Sequence, residues 1–175
     1  MGLHIAITSI KKGFTLIELL VVISIIGLLS TLAVVALSSA RNKSRDTRRL
    51  ADIKQLTTAL ELYRDRVGAY PDSDYAGCGG WDTPGNGTFI APLRTQGFLA
   101  QDVKDPVADG DCVNYLYYRY SAGSYGCPAN RGAYYVLGVA DMSTSGNPYS
   151  GSPGWSCSGR DWQSEFEWVT GQFEF

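Results

Sequence analysis

The chain has 175 residues, and its 15 Lys and Arg stand against 17 Asp and Glu for a formal net charge of −2. That balance excludes a general nucleic-acid binder, which needs a basic surplus, and the length holds one modest domain plus an anchor. The single histidine, His4, excludes a His pair, and four cysteines without C-x-x-C spacing exclude zinc and thioredoxin-type chemistry.

Residues 1–13 form a leader whose charges, Lys11 and Lys12, and small residue, Gly13, all precede the apolar stretch. An ordinary secretory signal places its cleavage site after that stretch. Cleavage after Gly13 would instead leave the apolar run on the mature protein. From Phe14 to Ala40 there are 27 residues and one charge, Glu18. As a helix this run is about 40 Å long, enough to cross a hydrocarbon core of about 30 Å. A lone carboxylate near its start is costly in lipid and asks for a cationic partner.

No Gly or Pro separates the run from residues 41–66, so one helix is expected to continue. Leu50, Ile53, Leu56, Ala59, Leu60, Tyr63 and Val67 recur at three to four residues, an amphipathic stripe for packing on a domain. Gly68 and Pro71 supply the stop. Five basic residues, Arg41, Lys43, Arg45, Arg48 and Arg49, follow the span, against Lys11 and Lys12 before it. Taken alone, the positive-inside rule would put the C-terminal part in the cytoplasm. The cluster reads as a solvated helix face near phospholipid headgroups, or as a stripe for DNA phosphates.

Residues 72–111 form a long connector, loop-like around Cys78–Gly87, with a short helix expected within Ile90–Leu99. Strands are expected at 113–121, 133–140 and 165–170, the last edge-like and carrying Glu165 and Glu167 on a solvent face. The loops 122–132 and 141–164 are rich in Gly and Ser. Three antiparallel strands need the helix stripe to be stable. The fold class is therefore α+β, a long N-terminal helix packed on a small antiparallel sheet.

Cys78, Cys112, Cys127 and Cys157 all lie after the span, which suggests two disulfides in an oxidising compartment. Four cysteines allow three pairings. Strand parity favours Cys112 with Cys157 and Cys78 with Cys127. Asp105, Asp109 and Asp111, with Asn114, make an oxygen-rich turn that is a weak calcium candidate without EF-hand spacing. Trp81, Trp155, Trp162 and Trp168 with eleven tyrosines suit core and filament contacts, or a carbohydrate- or surface-binding face. No nucleophile–base pair or phosphate loop stands out, so no enzymatic activity is expected.

Lys11-Lys12-Gly13-Phe14-Thr15-Leu16-Ile17-Glu18, followed by the unbroken apolar run, resembles the class III signal of type IV prepilins and pseudopilins. The segment from Asp52 to Tyr70-Pro71 resembles the pilin helix end and its exit. The resemblance covers residues 11–71, and the head only in architecture. It implies a leader (1–13), a transmembrane and filament-core helix (14–40), an amphipathic continuation (41–70) and a β head with an αβ loop (71–175). It implies that a prepilin peptidase cuts between Gly13 and Phe14 and methylates Phe14. It implies that Glu18 meets the N-terminal amine of a neighbouring subunit; an intrahelical pair with its own terminus is the bland alternative. The implied partners are identical or homologous pilin subunits, an inner-membrane platform with its ATPase, and the membrane, the head facing out of the cytoplasm. Some relatives of this family bind calcium in the head. Many carry a proline eight residues after the glycine matched by Gly27; here that residue is Val35, which leaves the helix less prepared to melt. The competing class is a monomeric, membrane-anchored extracytoplasmic binding module for a carbohydrate, surface or DNA ligand.

Overall fold

The computed structural model describes every residue except 1–12, 75–77, 87, 108–111, 113 and 145. The chain divides after Ala40 into two compact units. One helix, α1 (Leu16–Val67, 52 residues), runs without interruption from the first unit into the sequence of the second, as the absence of proline at Val35 predicts. In the first unit every residue from Gly13 to Ala40 is exposed, and this is the helix long and apolar enough to cross a membrane. Its polar side chains close on the helix itself: Ser24 Oγ donates to the Leu20 carbonyl (2.8 Å) and Thr31 Oγ1 to that of Leu28 (2.8 Å). Hydroxyls so bonded leave little exposed to lipid.

The second unit is a three-stranded antiparallel sheet in the order β1 (Tyr115–Tyr120), β2 (Tyr134–Val139), β5 (Trp168–Phe173), with a small hairpin of β3 (Ser156–Cys157) and β4 (Arg160–Asp161). A short helix, α2 (Ala91–Thr95), lies in the connector where one was expected. The helix stripe buries Ile53, Leu56, Ala59, Leu60 and Tyr63 against Tyr115, Tyr117, Tyr135, Leu137 and Val139 from the sheet. Leu50 is partly buried and Val67 is exposed at the helix end. Residues i and i+2 of each strand share this face, and the intervening ones point away.

The opposite sheet face is also buried. Tyr120, Tyr134, Val136, Val169 and Phe173 pack there under Trp81, Trp162 and Phe166. All six residues of β2 are consequently buried. Two glycines make this cover possible. A Cβ on Gly138 would sit 2.8 Å from the Phe166 ring, and one on Gly171 would sit 2.4 Å from the Trp155 ring. Segment 141–164, expected as a loop, and residues 165–167 after it thus supply a third layer.

Two expectations are corrected. The third strand begins at Trp168, not Glu165, because its ladder is set by pairing with β2, Val139 opposite Trp168 and Tyr134 opposite Phe173. Glu165 instead takes both ends of the Arg160 guanidinium (2.7 Å each), and a Glu167 oxygen accepts from the Met142 N–H (2.7 Å). The disulfides are Cys78–Cys112 and Cys127–Cys157, not the pairing that strand parity favours. The cover folds back over the sheet and brings Gly159 N–H onto the Tyr125 carbonyl (2.9 Å), so Cys157 meets Cys127. The αβ loop lies along β1, Asp82 and Tyr117 exchanging both backbone hydrogen bonds, which carries Cys78 to Cys112. That bridge also shields part of the free edge of β1.

Candidate functional site

The helix begins with reciprocal hydrogen bonds. Thr15 is the residue before α1, and its N–H and Oγ1 both donate to Glu18 Oε2 (2.8 and 2.7 Å). The Glu18 N–H donates back to Thr15 Oγ1 (3.3 Å). Thr-Leu-Ile-Glu is therefore a capping box, satisfying two donors that a helix start leaves without partners. The sequence shows this T-x-x-E spacing directly, and the reading of Glu18 as solely an ion-pair partner overlooks it. The donors the box offers Glu18 are neutral, so its negative charge still lacks a counter-ion among the described residues. Gly13 and Phe14 precede the helix and are exposed, Phe14 at 86 %.

Further along α1, Arg49 departs from the reading of five basic residues on a solvated face. It is 4 % exposed. Its Nε and Nη2 grip both oxygens of Asp105 (2.6 and 3.1 Å), and Nη1 donates to Asp46 Oδ1 (2.9 Å) and Ser143 Oγ (2.7 Å). Asp46 also accepts the N–H groups of Ser143 (2.7 Å) and Thr144 (2.8 Å) and the Thr144 hydroxyl. Asn114 donates to Asp105 (2.7 Å) and to the Asp141 carbonyl (2.8 Å). Burial pushes the Asp46 carboxyl up, but Thr144, Ser143 and Arg49 outweigh it and hold it below the ordinary carboxylate range. The cluster ties helix, connector and cover together. It engages Asp105, the first of the three calcium candidates, with a guanidinium and an amide; Asp109 and Asp111 lie outside the described residues. Among the described residues no group of three or more His, Cys, Asp or Glu is placed to hold a metal ion.

The tryptophans do not form a binding face. Trp162 is fully buried, Trp81 and Trp168 nearly so, and Trp155 is half-buried against Phe173 and Tyr134. Arg160 stacks at 5.0–5.7 Å from the rings of Trp81, Tyr125 and Trp162 while Glu165 neutralises it, a contact that closes the edge of the cover.

A second buried acid lies in the αβ loop. Asp82 is fully buried, accepts the N–H groups of Asp74 (3.3 Å) and Ile90 (3.1 Å) on Oδ2, and leaves Oδ1 without a partner. Burial, then the neighbouring Asp74 charge, push its pKa to about 7. A raised acid is protonated in the folded chain and ionised in the unfolded one between about pH 4 and 7, so the folded state binds more protons there. Stability from this group therefore falls as pH rises from about 4 to about 7 and is flat above. Asp82→Asn, which keeps an acceptor and carries no charge, is expected to abolish that fall, and urea midpoints measured across the range check it.

A membrane-length helix with a capped carboxylate at its start, running into a helix-packed antiparallel sheet, defines a membrane-anchored subunit of pilin type. The family of the prokaryotic N-terminal methylation motif matches residues 8–34. Type II secretion system core protein G of Aeromonas hydrophila is 32 % identical over 100 residues, 55 % of this chain and 67 % of the relative. Its counterpart in Escherichia coli is 30 % identical over 99 residues, 57 % and 68 % respectively. The type IV major fimbrial protein FimA of Dichelobacter nodosus is 40 % identical over 53 residues, 30 % and 34 %. No solved structure matches the chain. The chain belongs to the type IV pilin and type II secretion pseudopilin family, as a structural subunit of a pilus or pseudopilus filament.

Proposed function

We propose that the chain is a pseudopilin of the core protein G kind. Residues 1–13 are its leader, 14–40 its membrane and filament-core helix, 41–70 the continuation into the head, and 71–175 the head. The observation that carries this reading is the length of the likeness: that to core protein G runs over about 100 residues, beyond the helix, whereas that to the fimbrial protein covers 53. A prepilin peptidase cuts between Gly13 and Phe14 and methylates Phe14. The exposed apolar helix is held by the membrane first and by neighbouring helices afterwards. An inner-membrane platform and its ATPase supply the work, and the chain is a building block rather than an enzyme. The head lies outside the cytoplasm, which two disulfides support.

Coexpression with a prepilin peptidase is the test. The mature chain is expected to start at Phe14 with one added methyl group by mass spectrometry, and to appear in filaments by electron microscopy. A chain that keeps residues 1–13 and stays monomeric overturns the proposal in favour of an anchored binding module.

A further inference from the structure

Removing Arg49 from the basic cluster leaves a sharper pattern. Arg41, Arg45 and Arg48 are spaced i, i+4, i+7 on α1 and so fall within about 60° of one helix face. Arg41 and Arg48 are exposed, and Arg45 is half-buried. Arg41 and Arg45 have no ion-pair partner among the described residues, and Arg48 reaches Asp52 only at 4.0 Å. Asp52 is already engaged by the Tyr115 hydroxyl (2.9 Å). Three guanidinium groups on one face, largely free of carboxylates, suit an anionic ligand.

Their place in the chain says what that ligand is. Arg41 follows directly on the 27-residue apolar run, which spans about 40 Å as a helix. A bilayer measures about 30 Å across its hydrocarbon and about 40–45 Å with headgroups. A helix entering at Phe14 therefore emerges with Arg41 at headgroup level on the far side, and Arg45 and Arg48 one and two turns beyond. Guanidinium forks match phosphate oxygens in bidentate geometry. Nucleic-acid phosphates offer the same chemistry, but residues 68–175 hold twelve Asp and Glu against five Lys and Arg, and that acidic head repels a long polyanion.

We propose that Arg41, Arg45 and Arg48 form a docking stripe for anionic phospholipid headgroups of the leaflet at which the span ends, and that this contact fixes the depth of the subunit before assembly. The inference rests on the membrane-anchored reading. It gives a physical reason for basic residues on the side that the positive-inside rule would leave free of them: they bind the surface rather than orient the span.

The full chain is inserted into vesicles of equimolar phosphatidylcholine and phosphatidylglycerol, extracted in mild detergent, and its retained lipids are counted by headgroup. Wild-type protein is expected to retain about five phosphatidylglycerol molecules or more for each phosphatidylcholine, the excess falling with added salt. The R41Q/R45Q/R48Q variant is expected to return to the vesicle ratio, while Lys54→Gln, further along the helix, keeps the excess. Resistance to alkaline carbonate reports insertion separately. An inserted wild-type chain without the excess overturns the stripe alone, and a chain that never inserts overturns the anchored reading with it. Excess lipid persisting in the triple variant overturns the stripe. Displacement of the lipid by short duplex DNA, or by a second copy of the chain, reassigns the three arginines and also overturns it.

Discussion

Arg49→Met is expected to destabilise the head by about 3–5 kcal/mol, the cost of leaving buried charge without its partner. A domain of this size has about 5–15 kcal/mol in all, so the variant loses a large share of its stability. Met keeps much of the side-chain volume, and what is lost is the guanidinium. Asp105 then loses the guanidinium that held both its oxygens, and Asp46 keeps the donors of residues 143 and 144. Adding Asp105→Asn to Arg49→Met is expected to recover part of the loss, because it removes one of the stranded charges. The cluster also has a pH signature of opposite sign to that of Asp82. Asp46 is held below its unfolded value, so its contribution is present above about pH 4 and is lost as pH falls through its lowered pKa. Urea unfolding of the full chain at neutral pH reads the first effect. A loss under about 1 kcal/mol, the range of an exposed ion pair, would mean that water reaches the cluster and that it does not hold the layers together.

The same residue shows where the sequence was legible and where it was not. Ile53, Leu56, Leu60 and Tyr63 announce the buried helix face by their spacing, and β1 and β2 announce themselves as aromatic and β-branched runs. Those signals are local. Arg49 sits among four other basic residues within nine positions, and its partners Asp105 and Ser143 lie 56 and 94 residues away. One clue was present: 46, 49, 53, 56, 60 and 63 continue a three–four alternation, so Asp46 and Arg49 extend the apolar stripe by two charged members. The outer layer carries no such clue. Trp155, Trp162 and Phe166 are isolated in a Gly- and Ser-rich segment with no period. The spaces they occupy are absences of side chains at Gly138 and Gly171, and the apolar Tyr134, Val136, Val169 and Phe173 on that face show only that it is covered, not by what. The disulfide pairing departs from strand parity for the same reason, since Cys157 rides on that layer.

At the other end of α1, replacing Glu18 separates its capping of the helix from the assembly role proposed for its charge. In the uncut chain Glu18 closes the capping box with Thr15. Gln can close the same box, because the reach-back bond needs an acceptor and not a charge; Ala cannot. On the proposed reading, cleavage after Gly13 creates an amine at Phe14, four residues from Glu18, and the Glu18 of a neighbouring chain is the carboxylate that this amine would meet. If the charge serves assembly, Glu18→Gln and Glu18→Ala are expected to fail alike. Both would still be cut after Gly13 and inserted, yet each subunit contact would lose about 3 kcal/mol, roughly a hundredfold in association. Filament yield by electron microscopy, set against the processed fraction by mass spectrometry, measures this. If Glu18 is only a cap, the two variants part: Gln assembles as the wild type does, and Ala alone loses filaments through a frayed first turn worth about 1 kcal/mol. The Gln variant thus decides between a helix start and an assembly device, because it preserves the geometry at Thr15 and removes only the charge that lipid cannot solvate.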